Sequence, residues 1–112
     1  MCHSTLSAID ELMAFGVVTS ASAMVPCSWF VDVGAWHQQN PRFDIGIHLT
    51  LTSEWQRYRW GPVSARNESS GLVDELGYFH STASVRRHGW QEAVSMEMLQ
   101  QIHLAERSGL LP

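Results

Sequence analysis

The stretch Asp44-Ile45-Gly46-Ile47-His48-Leu49-Thr50-Leu51 decides the fold class. Its strict alternation puts Ile45, Ile47, Leu49 and Leu51 on one face and Asp44, Gly46, His48 and Thr50 on the other, the two-residue period of a strand over 44–51. Upstream, residues 17–25 are rich in Val, Thr, Ser and Ala without helical periodicity, and Pro26 closes them as a second strand. Between the two strands Ser28 caps a predicted helix over 28–39. There Trp29, Phe30, Val33 and Trp36 form the inward stripe, Asp32, His37, Gln38 and Gln39 face out, and Asn40-Pro41 is the stop. Before the first strand, Leu6, Ile9, Leu12 and Met13 predict a helix over 5–15, started by Ser4 or Thr5 and ended at Gly16.

Downstream, residues 52–82 carry Gly61-Pro62, Asn67-Glu68-Ser69-Ser70-Gly71 and Leu76-Gly77, and read as one long loop. Loops of that size in compact domains are usually functional or mobile. Trp90, Ala93, Val94, Met98, Ile102 and Ala105 then draw the apolar stripe of a helix over 90–107, with Gly109 at its exit. The order helix, strand, helix, strand, loop, helix predicts an α/β fold with parallel strands and right-handed crossovers. Two strands alone leave both edges of a buried parallel sheet open. The chain is therefore expected to be a single, incomplete domain.

Composition narrows the function classes. Of 112 residues, 45% are apolar and five are Trp, enough for a real core. Net charge is -4 and only 16% of residues are charged, so the Lys/Arg excess that neutralises a phosphate backbone is missing, and nucleic acid is not an expected partner. No apolar run reaches the ~20 residues of a membrane span and no signal-type leader opens the sequence, so no membrane association and a cytoplasmic location are expected. Cys2 and Cys27 lack the close spacing of a zinc knuckle or redox pair and are expected to be reduced and structural.

His48 lies in the C-terminal half of its strand, the end that faces the active site in β/α barrels and open α/β sheets. On spacing alone it is either a ligand or a core histidine bonded to a neighbour's backbone, because one His is no metal signature. His3, His37, His80, His88 and His103 form no metal-binding pattern. Trp55, Tyr58 and Trp60 cluster with Arg57 and Arg59 in the long loop. They either stack on the apolar faces of sugar rings or anchor the loop. Asp44 and Asp74 are carboxylates without a readable pairing, and no nucleophile elbow or phosphate loop occurs.

Three blocks in order, residues 16–25 (Gly-Val-Val-Thr-Ser-Ala-Ser-Ala-Met-Val), 44–52 (Asp-Ile-Gly-Ile-His-Leu-Thr-Leu-Thr) and 72–79 (Leu-Val-Asp-Glu-Leu-Gly-Tyr-Phe), closely resemble the YdjC-like deacetylases. That family includes chitooligosaccharide and hopanoid-biosynthesis deacetylases. The resemblance implies a partial (β/α) barrel related to the polysaccharide deacetylases, and a hydrolase that removes acetyl groups from N-acetylated amino sugars with a divalent metal, magnesium or zinc. It implies that His48 is one of three metal ligands. The family's Asp ligand and catalytic base sit in an Asp-Asp-x-Gly motif expected ahead of Met1, and its second His in a His-x-Asp-x-His block expected after Pro112. Leu6 stands where the family commonly has Asn. Families on this fold vary substrate through loops, so specificity is expected around Trp55 to Phe79, with Trp60 as a substrate-binding residue whose replacement by Ala is expected to weaken binding more than folding. An acetylated amino sugar is the expected partner and a homodimer is left open. The isolated chain, holding one ligand, is expected to show no turnover. Two readings compete: a non-catalytic sugar-binding or structural protein that kept the barrel and lost the metal, and a metal-dependent hydrolase on the same fold that breaks a different bond.

Overall fold

The computed structural model describes residues 2–111, and the chain divides into two compact units. One comprises the residues up to His48 together with those from Ile102 onward; the other is Leu49–Gln101.

The first unit is an α/β arrangement. Helix α1 spans His3–Ala14, strand β1 Ser20–Met24, helix α2 Phe30–Gln39 and strand β2 Asp44–His48. The strands pair in parallel, with Ser20 opposite Asp44 and Met24 opposite His48, and α2 makes the crossover. Helix α1 starts earlier than its hydroxyl residues suggest, because the Cys2 carbonyl accepts from the Thr5 and Leu6 N–H groups and no side chain caps it. It ends in a Schellman turn: Gly16, at φ 77°, donates to the Met13 carbonyl and Val17 donates to Leu12, each at 3.0 Å. Val18 also turns back to Leu12, which holds residues 17–18 out of the sheet and shortens the expected 17–25 strand to 20–24. Likewise Ser28 caps nothing; α2 begins after Trp29 without a side-chain cap.

Met13, Ala23, Val25, Cys27, Phe30, Val33 and Ile45 fill this unit's core, together with Ala105 and Leu110. The Trp36 indole N–H donates to the Asp10 carboxylate at 2.9 Å, tying α2 to α1. Gly34 allows a close approach, since a Cβ there would lie 2.5 Å from the Ser108 carbonyl oxygen. Cys27 is buried and Cys2 exposed, so the packing role expected of both fits Cys27 alone.

In the second unit the expected loop is held by hydrogen bonds throughout. It contains a 3-10 turn at Glu68–Ser70 and an antiparallel bridge between Val73 and Phe79, and at its end begins helix α3, Thr82–His88, which lacks any apolar period in sequence. Leu72, Val73 and Phe79 are buried with Trp60. The strand expected over 44–51 stops at His48 because Thr50 has other partners: its N–H donates to the Gln101 side chain at 2.9 Å and its carbonyl accepts from that amide at 2.6 Å.

Helix α4, Gln91–Arg107, supplies residues to both units and ends in a second Schellman turn, with Gly109 at φ 84° donating to Glu106 and Leu110 to Ala105. The expected apolar stripe faces inward, with Ala105 fully buried and Ala93, Val94, Met98 and Ile102 half-buried, but two polar residues share that face. Glu97 and Gln101 are fully buried, whereas Trp90 is 66% exposed and precedes the helix. The Glu97 carboxylate accepts from Val63 N–H at 3.0 Å, Ser64 N–H at 2.8 Å and the Gln101 amide at 2.6 Å. Burial of these polar groups is tolerated because each is satisfied. No helix among the described residues is long and apolar enough to cross a membrane. The described residues show parallel strands with four α-helices, and no barrel closure.

Candidate functional site

His48 is the last residue of β2, exposed, across from Met24 at the end of β1. The side chain therefore stands at the C-terminal edge of the parallel sheet, the position from which such folds present reactive groups. Among the described residues no three His, Cys, Asp or Glu side chains come together as a metal-binding group. A divalent ion with tetrahedral or octahedral demands needs several donors, so the residues present do not by themselves fit one. Asp44 begins the same strand and is exposed at its opposite end, which separates it from His48.

The first unit also encloses an apolar cavity of about 90 Å³ lined by Leu6, Ile9, Ala21, Trp29, Val33 and Ile45, among others. Its lining carries no carboxylate or imidazole, and its only hydroxyls are those of Thr5 and Ser22, so it lacks the set of groups that would hold a metal or move a proton.

The second unit brings the three loop aromatics together. Ring centroids of Trp55 and Tyr58 lie 6.1 Å apart, those of Trp55 and Trp60 6.1 Å, and those of Tyr58 and Trp60 6.2 Å. Their exposures differ sharply: 61% for Trp55, 37% for Tyr58 and 7% for Trp60. Trp60 is fixed from both ends, its indole N–H donating to the Thr52 carbonyl at 2.8 Å and its backbone N–H to the Ser53 hydroxyl at 3.4 Å. The structure therefore places Trp60 as an anchor of the loop and leaves Trp55 as the accessible ring. Sequence alone could not rank the three, since all share one short segment.

Beside Trp55 lies a shallow cleft of about 320 Å³ lined by Ser53, Glu54, Trp55, Gln56, Arg59 and Ser81. Arg59 is committed to the loop: it pairs with Asp74 at 2.6 Å, donates to the Phe79 carbonyl at 3.0 Å and lies over the Tyr78 ring. Burial raises the Asp74 carboxyl, but the Arg59 hydrogen bond, the Tyr78 and Leu76 N–H groups and the Arg59 charge outweigh it and hold Asp74 below the usual carboxylate range. Asp74 is thus a structural carboxylate that closes the turn between Val73 and Phe79. Sequence reasoning had no signal for this pairing, as the two residues lie fifteen positions apart in a stretch without periodicity.

The YdjC-like protein family model matches residues 1–112. A carbohydrate deacetylase of Thermus thermophilus is 38% identical over 95 residues, covering 84% of this chain and 32% of the relative. A carbohydrate deacetylase of Enterococcus faecalis is 36% identical over 72 residues, covering 63% of this chain and 26% of the relative. The crystal structure of an Enterococcus faecalis protein, described as a candidate cellobiose-phosphate cleavage protein, superposes with a TM-score of 0.85 at 30% identity, covering 99% of this chain and 41% of the other. The chain spans a third or less of the length of these curated relatives. The chain belongs to the YdjC-like family.

Proposed function

We propose that the protein carrying this chain is a metal-dependent carbohydrate deacetylase, hydrolysing the acetamide of an N-acetylated amino sugar to acetate and a free amine. The observation that carries this reading is the likeness to two carbohydrate deacetylases, the longer match running through most of the chain. In this reading the parallel sheet is part of a (β/α) barrel, and His48 holds one coordination position of a magnesium or zinc ion from the C-terminal end of β2. The remaining donors come from outside the described residues. The chemistry such an ion would supply, once its other donors were in place, is activation of a water and polarisation of the acetyl carbonyl. The part of this chain is to present one imidazole from a rigid strand end, and to bind sugar through the aromatic loop, where Trp60 supports the accessible rings.

Acetate release tests the reading. Chitotriose, which carries N-acetyl groups, should yield acetate, and cellotriose, which has none, should not. Absence of acetate from N-acetylated sugars of every length tried, with protein that is folded and metal-loaded, would rule it out.

A further inference from the structure

We infer that Trp55 is a sugar-stacking platform, binding one pyranose ring of an N-acetylated oligosaccharide over the cleft formed with Glu54, Gln56 and Ser81. The inference rests on the proposed carbohydrate substrate but not on catalysis.

The first support is the division of roles within the aromatic trio. Trp60 is buried and bonded in place, and Trp55 meets it in a T-shaped contact with an interplanar angle of 71°. Tyr58 braces Trp55 at a tilt of 49°. Two rings therefore orient a third that is itself 61% exposed. A large ring flanked by two others yet left in water offers contact area, and an aromatic side chain has few rotatable bonds to order on binding. A ring serving only to anchor the loop would be expected to turn inward, as Trp60 does.

The second support is what surrounds the ring. The negative face of an indole attracts the C–H face of a pyranose, and the sugar's hydroxyl rim then requires acceptors and donors at the periphery. The cleft supplies the Glu54 carboxylate, the Gln56 amide and the Ser81 hydroxyl. Thr52 donates a hydrogen bond to Glu54, fixing that acceptor beside the ring. Arg59 lines the cleft but is already held by Asp74 and Phe79, so it shapes the wall. At about 320 Å³ the cleft sits at the low end of the ~300–1,000 Å³ range of small-molecule sites, suited to one sugar unit rather than a buried chain.

Chitotriose and cellotriose are titrated into the full chain while indole N–H resonances are followed by NMR, with Trp55→Phe identifying the Trp55 signal. Shifts concentrated on Trp55 are expected. Affinity for chitotriose should fall about tenfold in Trp55→Ala, a change of ~1.4 kcal/mol, and stay within about threefold of the parent in Trp55→Phe, while Trp90→Ala, which removes another exposed indole, should leave it unchanged. Chitotriose binding that leaves the Trp55 resonance unmoved, or that weakens equally in Trp55→Ala and Trp90→Ala, overturns the inference. So does absence of chitotriose binding. The wild-type resonance shift decides the matter even if Trp55→Ala fails to fold. Trp55-dependent binding, together with no acetate release by the folded, metal-loaded protein that carries this chain, would leave this inference standing and remove the deacetylase reading; acetate release by that protein with Trp55 uninvolved would do the reverse.

Discussion

At the scale of single residues, the loop is governed by which side chains are committed to holding it and which are left over. Asp74 and Arg59 are committed. Because folding lowers the Asp74 carboxyl from its ordinary 3.8, the clamp's contribution is fully present above that value and is lost as pH falls through the lower folded-state value. Unfolding midpoints measured between neutral pH and pH 2 should therefore fall in the acid range. Asp74→Asn should lower stability on the order of 1 kcal/mol at neutral pH, as expected for a partly exposed pair, and flatten part of that acid slope. An unaltered slope would show that Asp74 does not contribute. Trp60 is committed too. Its burial and its two hydrogen bonds imply that Trp60→Ala costs folding stability of ~3–5 kcal/mol, read by urea denaturation. This reverses the ranking of binding over folding expected from the sequence.

At the scale of elements, what was legible followed from backbone rules, and what was missed followed from partner choice. Gly16 and Gly109 marked the ends of α1 and α4 because a left-handed turn residue is nearly a local requirement. The alternation around Ile45 and Ile47 located β2 because a two-sided element needs a two-residue period. Its far boundary was wrong by three residues because Thr50 bonds a side chain fifty-one positions away, which no local pattern records. Helix α3 was invisible for a related reason: seven residues without a buried side chain leave no apolar period. Glu97 and Gln101 ran against the rule that polar residues face water, because satisfying Val63, Ser64 and Thr50 requires long polar side chains inside. Of the candidate site, His48 was legible from its strand position, whereas the unequal exposure of Trp55 and Trp60 was not. Glu97→Gln places an amide N–H₂ opposite backbone donors and should cost about 2 kcal/mol; calorimetry showing no loss would contradict the clamp. Gly34→Ala drives a methyl group against the Ser108 carbonyl and should lower stability by about 1–3 kcal/mol, seen as a reduced thermal midpoint.

At the scale of the whole molecule, the chain belongs to the YdjC-like family, and under the proposed function it supplies one of the metal's donors. It spans 32% and 26% of two carbohydrate deacetylases, and its described residues bring no three metal-ligating side chains together. Under the proposed function, the 112-residue chain alone should release no acetate from chitotriose, and a longer protein that supplies the remaining donors should.

The most direct measurement is acetate release from chitotriose by the longer, metal-loaded protein and by its His48→Ala variant, with bound metal quantified in both. The account predicts that the variant keeps its thermal midpoint, loses bound metal and releases acetate at least ~100-fold more slowly, in line with the 10–100-fold losses seen even for residues that only support metal ligands. Undiminished acetate release and metal content in a folded His48→Ala protein would contradict it.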